Sequence, residues 1–235
     1  GQQSVRLTDG TVVSVSRQKT NNGNVVIVFE DVTEQARAHD RIRQLAWTDE
    51  LTGLMNRTSF QEVLRTSLDL LEGDKSLALH LIDLDHFKQI NETLGHPVGL
   101  LLLIEAGKRI TMIAPDESHL ARLGGDEFVV IQHLVHTGQT AEALAAQFVG
   151  AMAQPFEVSG HRINVGASVG VALAPRDGLT GDILLKRADM ALYSAKARGR
   201  NHVTFFEDSL DVAARQRREL ELDLRTAVAE RQFTL

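Results

Sequence analysis

The stretch "ARLGGDEFVV", residues 121–130, decides how the rest of the chain is read. Leu120 and Leu123 on one side, and Phe128, Val129 and Ile131 on the other, read as two short strands, with Gly124-Gly125 as the two-residue turn between them. Small, flexible residues at a hairpin tip need no special explanation. Asp126 and Glu127 do: two like charges side by side repel, and a cation would resolve the repulsion.

Working outward, "LALHLIDLDHFKQIN" (77–91) is an apolar strand that ends at Asp83-Leu84-Asp85 and passes at once into a helix. A carboxylate at a strand end beside a helix start can hold a hard cation and leave room for phosphate. Asp85 reads as the N-cap of a helix starting at His86. Asp83 has no such role. If its strand lies beside the 120s hairpin, Asp83, Asp126 and Glu127 converge, and they would raise one another's pKa unless a metal is present.

Around these two runs, helices are expected near 57–72, 87–93, 97–113, 139–152 and 180–198, and strands near 76–84, 118–123, 127–133, 163–173 and 202–206. Such alternation predicts an α/β or α+β sheet covered by helices. Upstream, "SVRLTDGTVVSVS" (4–16) and "NNGNVVIVFEDVT" (21–33) alternate about turns at Asp9-Gly10 and Asn22-Gly23, which predicts β structure over residues 5–31. Three strands cannot close a core of their own. Residues 34–47 form an amphipathic stretch with Ala38, Ile42 and Leu45 on one stripe, a linker helix suited either to pairing with its copy or to packing on its own domain. The tail (207–235) reads as a charged amphipathic helix with Leu210, Leu220, Leu224 and Val228 along one side.

Composition narrows the function classes. Hydrophobic residues make up 43% of the 235, enough for a core. The formal charge of -6 argues against a nucleic-acid backbone as main partner. The chain has no cysteine, which excludes disulfides and thiolate metal sites and fits a reducing cytoplasm. No apolar run approaches ~20 residues, so no membrane contact is expected within this stretch. With Gly1 at the start, further segments upstream are expected. The histidines, His80, His96 and His133 among them, lack ligand spacing and read as structural or surface residues.

"ARLGGDEFVV", "DLDHFKQINETLGH" (83–96), "TDELTGLMNR" (48–57) and "ADMALYSAKARGRN" (188–201) together resemble the GGDEF family of diguanylate cyclases, with four motifs in the family's order over roughly 160 residues. The resemblance implies a central, mostly antiparallel sheet wrapped by helices, related to the palm of nucleotide cyclases. It implies condensation of two GTP into cyclic di-GMP on magnesium (or manganese), with two domains facing each other as a homodimer. It assigns Asp83, the Leu84 carbonyl, Asp126 and Glu127 to the metal site, with Asp126 and Glu127 as the catalytic acids and Glu127 helping to deprotonate the attacking hydroxyl. Gly124 and Gly125 would let the backbone approach phosphate, Phe87 and Lys88 would wrap the terminal phosphates, Lys196 and Arg200 would neutralise them, and Asn91 would bind guanine. The first strands resemble the end of a PAS domain, and "ELELDLRTAVAERQFTL" (219–235) resembles the entry into an EAL phosphodiesterase domain. The implied organisation is a PAS-like fragment (1–33), linker (34–47), GGDEF domain (48–206) and a helix toward an EAL domain (207–235).

Two positions depart from the family. Leu100, in "GHPVGLLLL" (95–103), stands where the family carries an aspartate that accepts hydrogen bonds from guanine; leaving those donors unpaired costs ~1–3 kcal/mol, so GTP binding should weaken. Pro115 and Ser118, in "PDES" (115–118), stand at the two key places of the family's Arg-x-x-Asp product-inhibition site, so that site is expected to be absent. Two readings stay open: a weakened diguanylate cyclase, or a GTP-binding regulator of an adjacent phosphodiesterase domain.

Overall fold

The computed structural model describes residues 2–9, 11–19, 25–35, 46–73, 75–134 and 140–210. The chain divides into two compact units, 1–48 and 49–235.

In the first unit, β1 (Gln2–Arg6), β2 (Val12–Lys19) and β3 (Val25–Asp31) form an antiparallel sheet in the order β1-β2-β3. The end of this sheet is latched by short polar residues. Asp31 Oδ1 accepts the Thr33 N–H at 2.9 Å, and Thr33 Oγ1 in turn accepts the Val12 N–H at 2.9 Å. Every residue of β3 is exposed, Phe29 the most of its apolar residues, as expected of a sheet too small to bury both faces. Residues 33–35 and 46–47 are helical, while 36–45 of the expected linker helix and the tail from 211 lie outside the described residues.

The second unit is built on a five-stranded sheet, order β10-β9-β4-β6-β5, antiparallel except for the β10–β9 pair. Its elements are α1 (Arg57–Asp69), β4 (Ser76–Leu84), α2 (Phe87–Leu94), α3 (His96–Ile113), β5 (His119–Gly124), β6 (Glu127–Leu134), α4 (Ala141–Met152), β7 (Phe156–Val158), β8 (His161–Ile163), β9 (Ala167–Ala174), α5 (Gly181–Ala197) and β10 (Val203–Phe205). Central strand β4 is buried at every residue from Leu77 to Leu84, which is why "LALHLIDL" is nearly continuous in apolar residues rather than alternating. Its even-numbered residues Ala78, Ile82 and Leu84 join a core with Leu102, Ile110, Leu144 and Phe148 of α3 and α4. The odd-numbered Leu77, Leu79 and Leu81 join a second core with Phe60 and Leu64 of α1 and Leu184 and Leu192 of α5. Each leucine, isoleucine or phenylalanine among them contributes about 1.5–3 kcal/mol by burial.

Two close approaches set the helices. A Cβ at Gly170 of β9 would stand 2.1 Å from the Ala188 carbonyl of α5, so that helix lies directly on the strand. A Cβ at Gly99 of α3 would stand 1.9 Å from Asn91 Oδ1 of α2, so those two helices cross in contact.

Three expectations are corrected. The turn residues of the hairpin are Gly125 and Asp126, not Gly124-Gly125: Gly124 pairs with Glu127 after a bulge between Arg122 and Gly124, and Gly125 supplies the left-handed φ of 54° that the turn needs. The strand expected near 163–173 is two elements, because Ser159-Gly160, both at positive φ, fold "FEVSGHRI" into the separate β7–β8 hairpin and β9 begins only at Ala167. Asp85 is not a helix N-cap. The helix begins at Phe87 behind His86, which lies in the left-handed region without a capping bond, and Asp85 is buried with partners elsewhere.

Candidate active site

The C-terminal end of β4 opens into a cleft of about 260 Å³. Asp83, Leu84, Phe87, Lys88, Asp126, Lys196 and Arg200 line it, together with Asp85, His86 and Gln89. Four separate regions meet there: β4 brings Asp83, the hairpin tip Asp126, the start of α2 Phe87 and Lys88, and the end of α5 with the turn after it Lys196 and Arg200. The hairpin is tied to the strand by the Leu84 N–H donating to the Asp126 carbonyl at 3.4 Å, and Asp83 stands directly opposite Glu127 in the β4–β6 register.

Asp83 is the electrostatic centre. It is 6% exposed, and its Oδ2 takes Lys196 Nζ at 2.6 Å. Burial raises its pKa, the Lys196 hydrogen bond and charge oppose this, and the Asp126 and Glu127 charges raise it further, to about 6. One ammonium therefore does not compensate the site: acids plus burial outweigh it. The sheet fixes Asp83 in place, whereas Lys196 reaches from the last turn of α5 and remains a third exposed.

The other expected residues are arranged around this cleft rather than all inside it. Glu127 lines a neighbouring pocket of about 410 Å³ with Arg57, Asp182, Lys186 and Asp189, and its Oε2 lies 3.9 Å from the Arg57 guanidinium. Gly124 and Gly125 form the hairpin end, and a Cβ on either would meet no atom within 4 Å. Lys88 is highly exposed and pairs with Glu92 one turn on at 3.7 Å, while Phe87 packs at the margin of the core. Asn91 and Leu100 lie on the α2–α3 flank, outside the cleft lining: Asn91 Oδ1 is buried without a partner among the described residues, and Leu100 is 48% exposed. Among the described residues no three acidic or imidazole groups are close enough to hold one ion. Pro115 and Ser118 close a turn, the Ser118 N–H donating to the Pro115 carbonyl at 2.8 Å.

Three residues that sequence reasoning did not single out brace the hairpin. Arg122 donates to the Gly125 carbonyl through Nε at 3.0 Å and Nη2 at 2.7 Å, and its Nη1 binds both Asp49 oxygens at 3.0 and 2.9 Å. Partial burial pushes the Asp49 pKa up, but hydrogen bonds from Thr52 and Arg122 outweigh this and hold it below the ordinary carboxylate value. Arg57 Nε donates to the Leu123 carbonyl at 3.3 Å. Asp49 and Arg57 sit in the quoted "TDELTGLMNR", so their signal was a motif without an assigned task.

The family description "Diguanylate cyclase, GGDEF domain" matches residues 46–202. The chain belongs to the GGDEF family. Among its relatives, the bifunctional diguanylate cyclase/cyclic di-GMP phosphodiesterase MucR of Pseudomonas aeruginosa is 40% identical over 206 residues, covering 86% of this chain and 30% of that protein. The cyclic di-GMP phosphodiesterase NbdA of the same organism is 42% identical over 200 residues, covering 84% of this chain and 25% of that protein. The chain thus spans under a third of the length of these relatives. The solved GGDEF domain of TpbB (YfiN), again from Pseudomonas aeruginosa, superposes with a TM-score of 0.68 at 35% identity, covering 72% of this chain and 99% of that one. The mostly antiparallel sheet wrapped by helices is the fold of these GGDEF domains. Among the described residues no helix is long and apolar enough to cross a membrane.

Proposed function

We propose that this GGDEF domain condenses two GTP molecules into cyclic di-GMP, releasing pyrophosphate, at a rate weakened by Leu100. The observation that carries the reading is the buried Asp83 paired with Lys196, in a cleft shared with Asp126 and Arg200. Lys196 and Arg200 bind the triphosphate, aided by the backbone at the start of α2, where no side chain caps the helix. Asp83, the Leu84 carbonyl and Asp126 are all hard oxygen donors, and burial holds the Asp83 carboxylate at a disadvantage that Lys196 does not fully offset; the set suits magnesium or manganese. When bound, such an ion neutralises phosphate charge and acidifies the attacking 3′-hydroxyl. Glu127, opposite Asp83 across the β4–β6 pair, would receive that proton. Because the product is two-fold symmetric, two such domains face each other, each holding one GTP.

Leu100 supports a second reading, a GTP-binding regulator of an adjacent EAL domain. A half-exposed leucine on α3 offers guanine no acceptor. In both readings the chain is organised as proposed for residues 1–33 (PAS-like), 34–47 (linker), 48–206 (GGDEF) and 207–235 (toward EAL), acting in the cytoplasm. A turnover assay with GTP and magnesium, on this chain and on Leu100→Asp, separates them. Product from both, and more from Leu100→Asp, supports the cyclase; binding without product from either supports the regulator. No binding by either removes the shared premise.

A further inference from the structure

We propose that Asp85 is a positioning residue, whose buried carboxylate holds the turn that carries Arg200 over the cleft. This rests on reading that cleft as a polyphosphate site. Asp85 is 4% exposed, yet no cation pairs with it among the described residues. Its Oδ1 accepts the Ser168 hydroxyl at 2.8 Å and its Oδ2 accepts the backbone N–H of Asn201 at 2.9 Å. Its own N–H donates to the Gly166 carbonyl at 2.9 Å, which fixes the carboxylate at the end of β4.

The backbone it holds is strained. Arg200 (φ 62°) and Asn201 (φ 54°) are consecutive non-glycine residues in the left-handed region, directly after Gly199. This conformation costs Arg200 ~1 kcal/mol or more and Asn201 less, so the turn persists where its surroundings fix it. On one side the Arg200 N–H donates to the Ala195 carbonyl at the end of α5. On the other side Asp85 supplies a charge-assisted bond to the next residue. A Cβ at position 166 would lie 2.7 Å from Asn201 Oδ1 and 3.2 Å from Asp85 Oδ2, so Gly166 provides the room in which turn and carboxylate meet. Without Asp85, residues 200–201 relax toward the right-handed region and the Arg200 side chain swings away from the cleft.

The test is a double-mutant cycle on the whole chain, Asp85→Ala with Arg200→Ala, read by calorimetric affinity for inorganic tripolyphosphate and by amide hydrogen exchange over residues 199–202. Each single variant should weaken tripolyphosphate by about tenfold, the scale of one charge-assisted hydrogen bond, and the double variant no more than Arg200→Ala alone. Exchange at Asn201 should rise in Asp85→Ala and not in Arg200→Ala. Asp85→Asn should retain affinity within about twofold, because its oxygen still accepts the Asn201 N–H while its amide donates to Ser168. Should Asp85→Ala unfold, Asp85→Ser takes its place in the cycle. Additive losses, unchanged exchange at Asn201, or an Asp85→Asn variant as weak as Asp85→Ala would each overturn the positioning role. If the unmodified chain binds neither tripolyphosphate nor GTP, the reading of the cleft fails, and exchange alone decides whether Asp85 holds the turn.

Discussion

Strand β4 carries two buried ionisable side chains three residues apart, and they face opposite cores. His80 is fully buried on the α4 side, its Nε2 2.9 Å from Gln132 Oε1 and its ring edge-on to Phe148 with centroids 5.8 Å apart. Burial drives its pKa down to about 4, against a small opposing effect of the Gln132 bond, so it is neutral under ordinary conditions. Asp83, on the α5 side, is almost as buried, but its neighbours are charges: one ammonium and two carboxylates. Burial favours the neutral form in both. Neutral surroundings make the first part of the core, whereas the second shares an open cleft with charges of both signs. Depth of burial thus says little about function; the charge of what surrounds the group says more.

The strongest challenge to this contrast is Asp83→Asn. GTP turnover should fall by about 10²–10³-fold, the loss typical of removing one electrostatic contact at a reacting centre, while stability at pH 7 rises by on the order of 1 kcal/mol because an unfavourable buried charge is gone. Parallel kinetics and urea unfolding read both; a destabilised variant would show the pair to be structural after all. Leu100→Asp should tighten GTP by about tenfold in calorimetry, restoring acceptors for guanine. Gln132→Leu should cost about 1–3 kcal/mol in urea unfolding by leaving His80 unpaired, with GTP affinity unchanged.

The smallest effect is the pH dependence of stability, and its sign differs between the two groups. His80 titrates lower in the fold than its ordinary 6.5, so its stabilising share is present above pH 6.5 and is lost as pH falls toward about 4. Asp83 titrates higher in the fold than its ordinary 3.8, so its share is present below that value and is lost as pH rises through about 6. Between pH 4 and 6 the two slopes oppose each other. Asp83→Asn should therefore steepen the rise of stability with pH in that window, measured by thermal unfolding across a buffer series; an unchanged slope would show that Asp83 is not perturbed.

Much of the fold was legible because its elements are long and strongly patterned. The apolar run ending at Asp83, the "FVVIQH" strand and the helix ending near Lys196 all lie within a few residues of where their patterns place them. The β7–β8 hairpin was not, since three-residue strands are too short to show a period, although Ser159-Gly160 is a turn signal. In the candidate site, like charges in the hairpin and at a strand end pointed to Asp83 and Asp126, and the family resemblance to Lys196 and Arg200. The task of Asp85 was hidden because its partners lie 83 and 116 residues away in sequence, a separation that only the folded sheet closes. Arg122 and Asp49, 73 residues apart, were hidden for the same reason.

The most direct measurement is a structure of the Leu100→Asp chain with magnesium and a non-hydrolysable GTP analogue. The triphosphate should lie in the cleft at the end of β4, with Lys196 Nζ moved from Asp83 onto phosphate oxygen and Arg200 beside it. A nucleotide bound elsewhere, or one in the cleft with Lys196 still on Asp83, would contradict the proposed site.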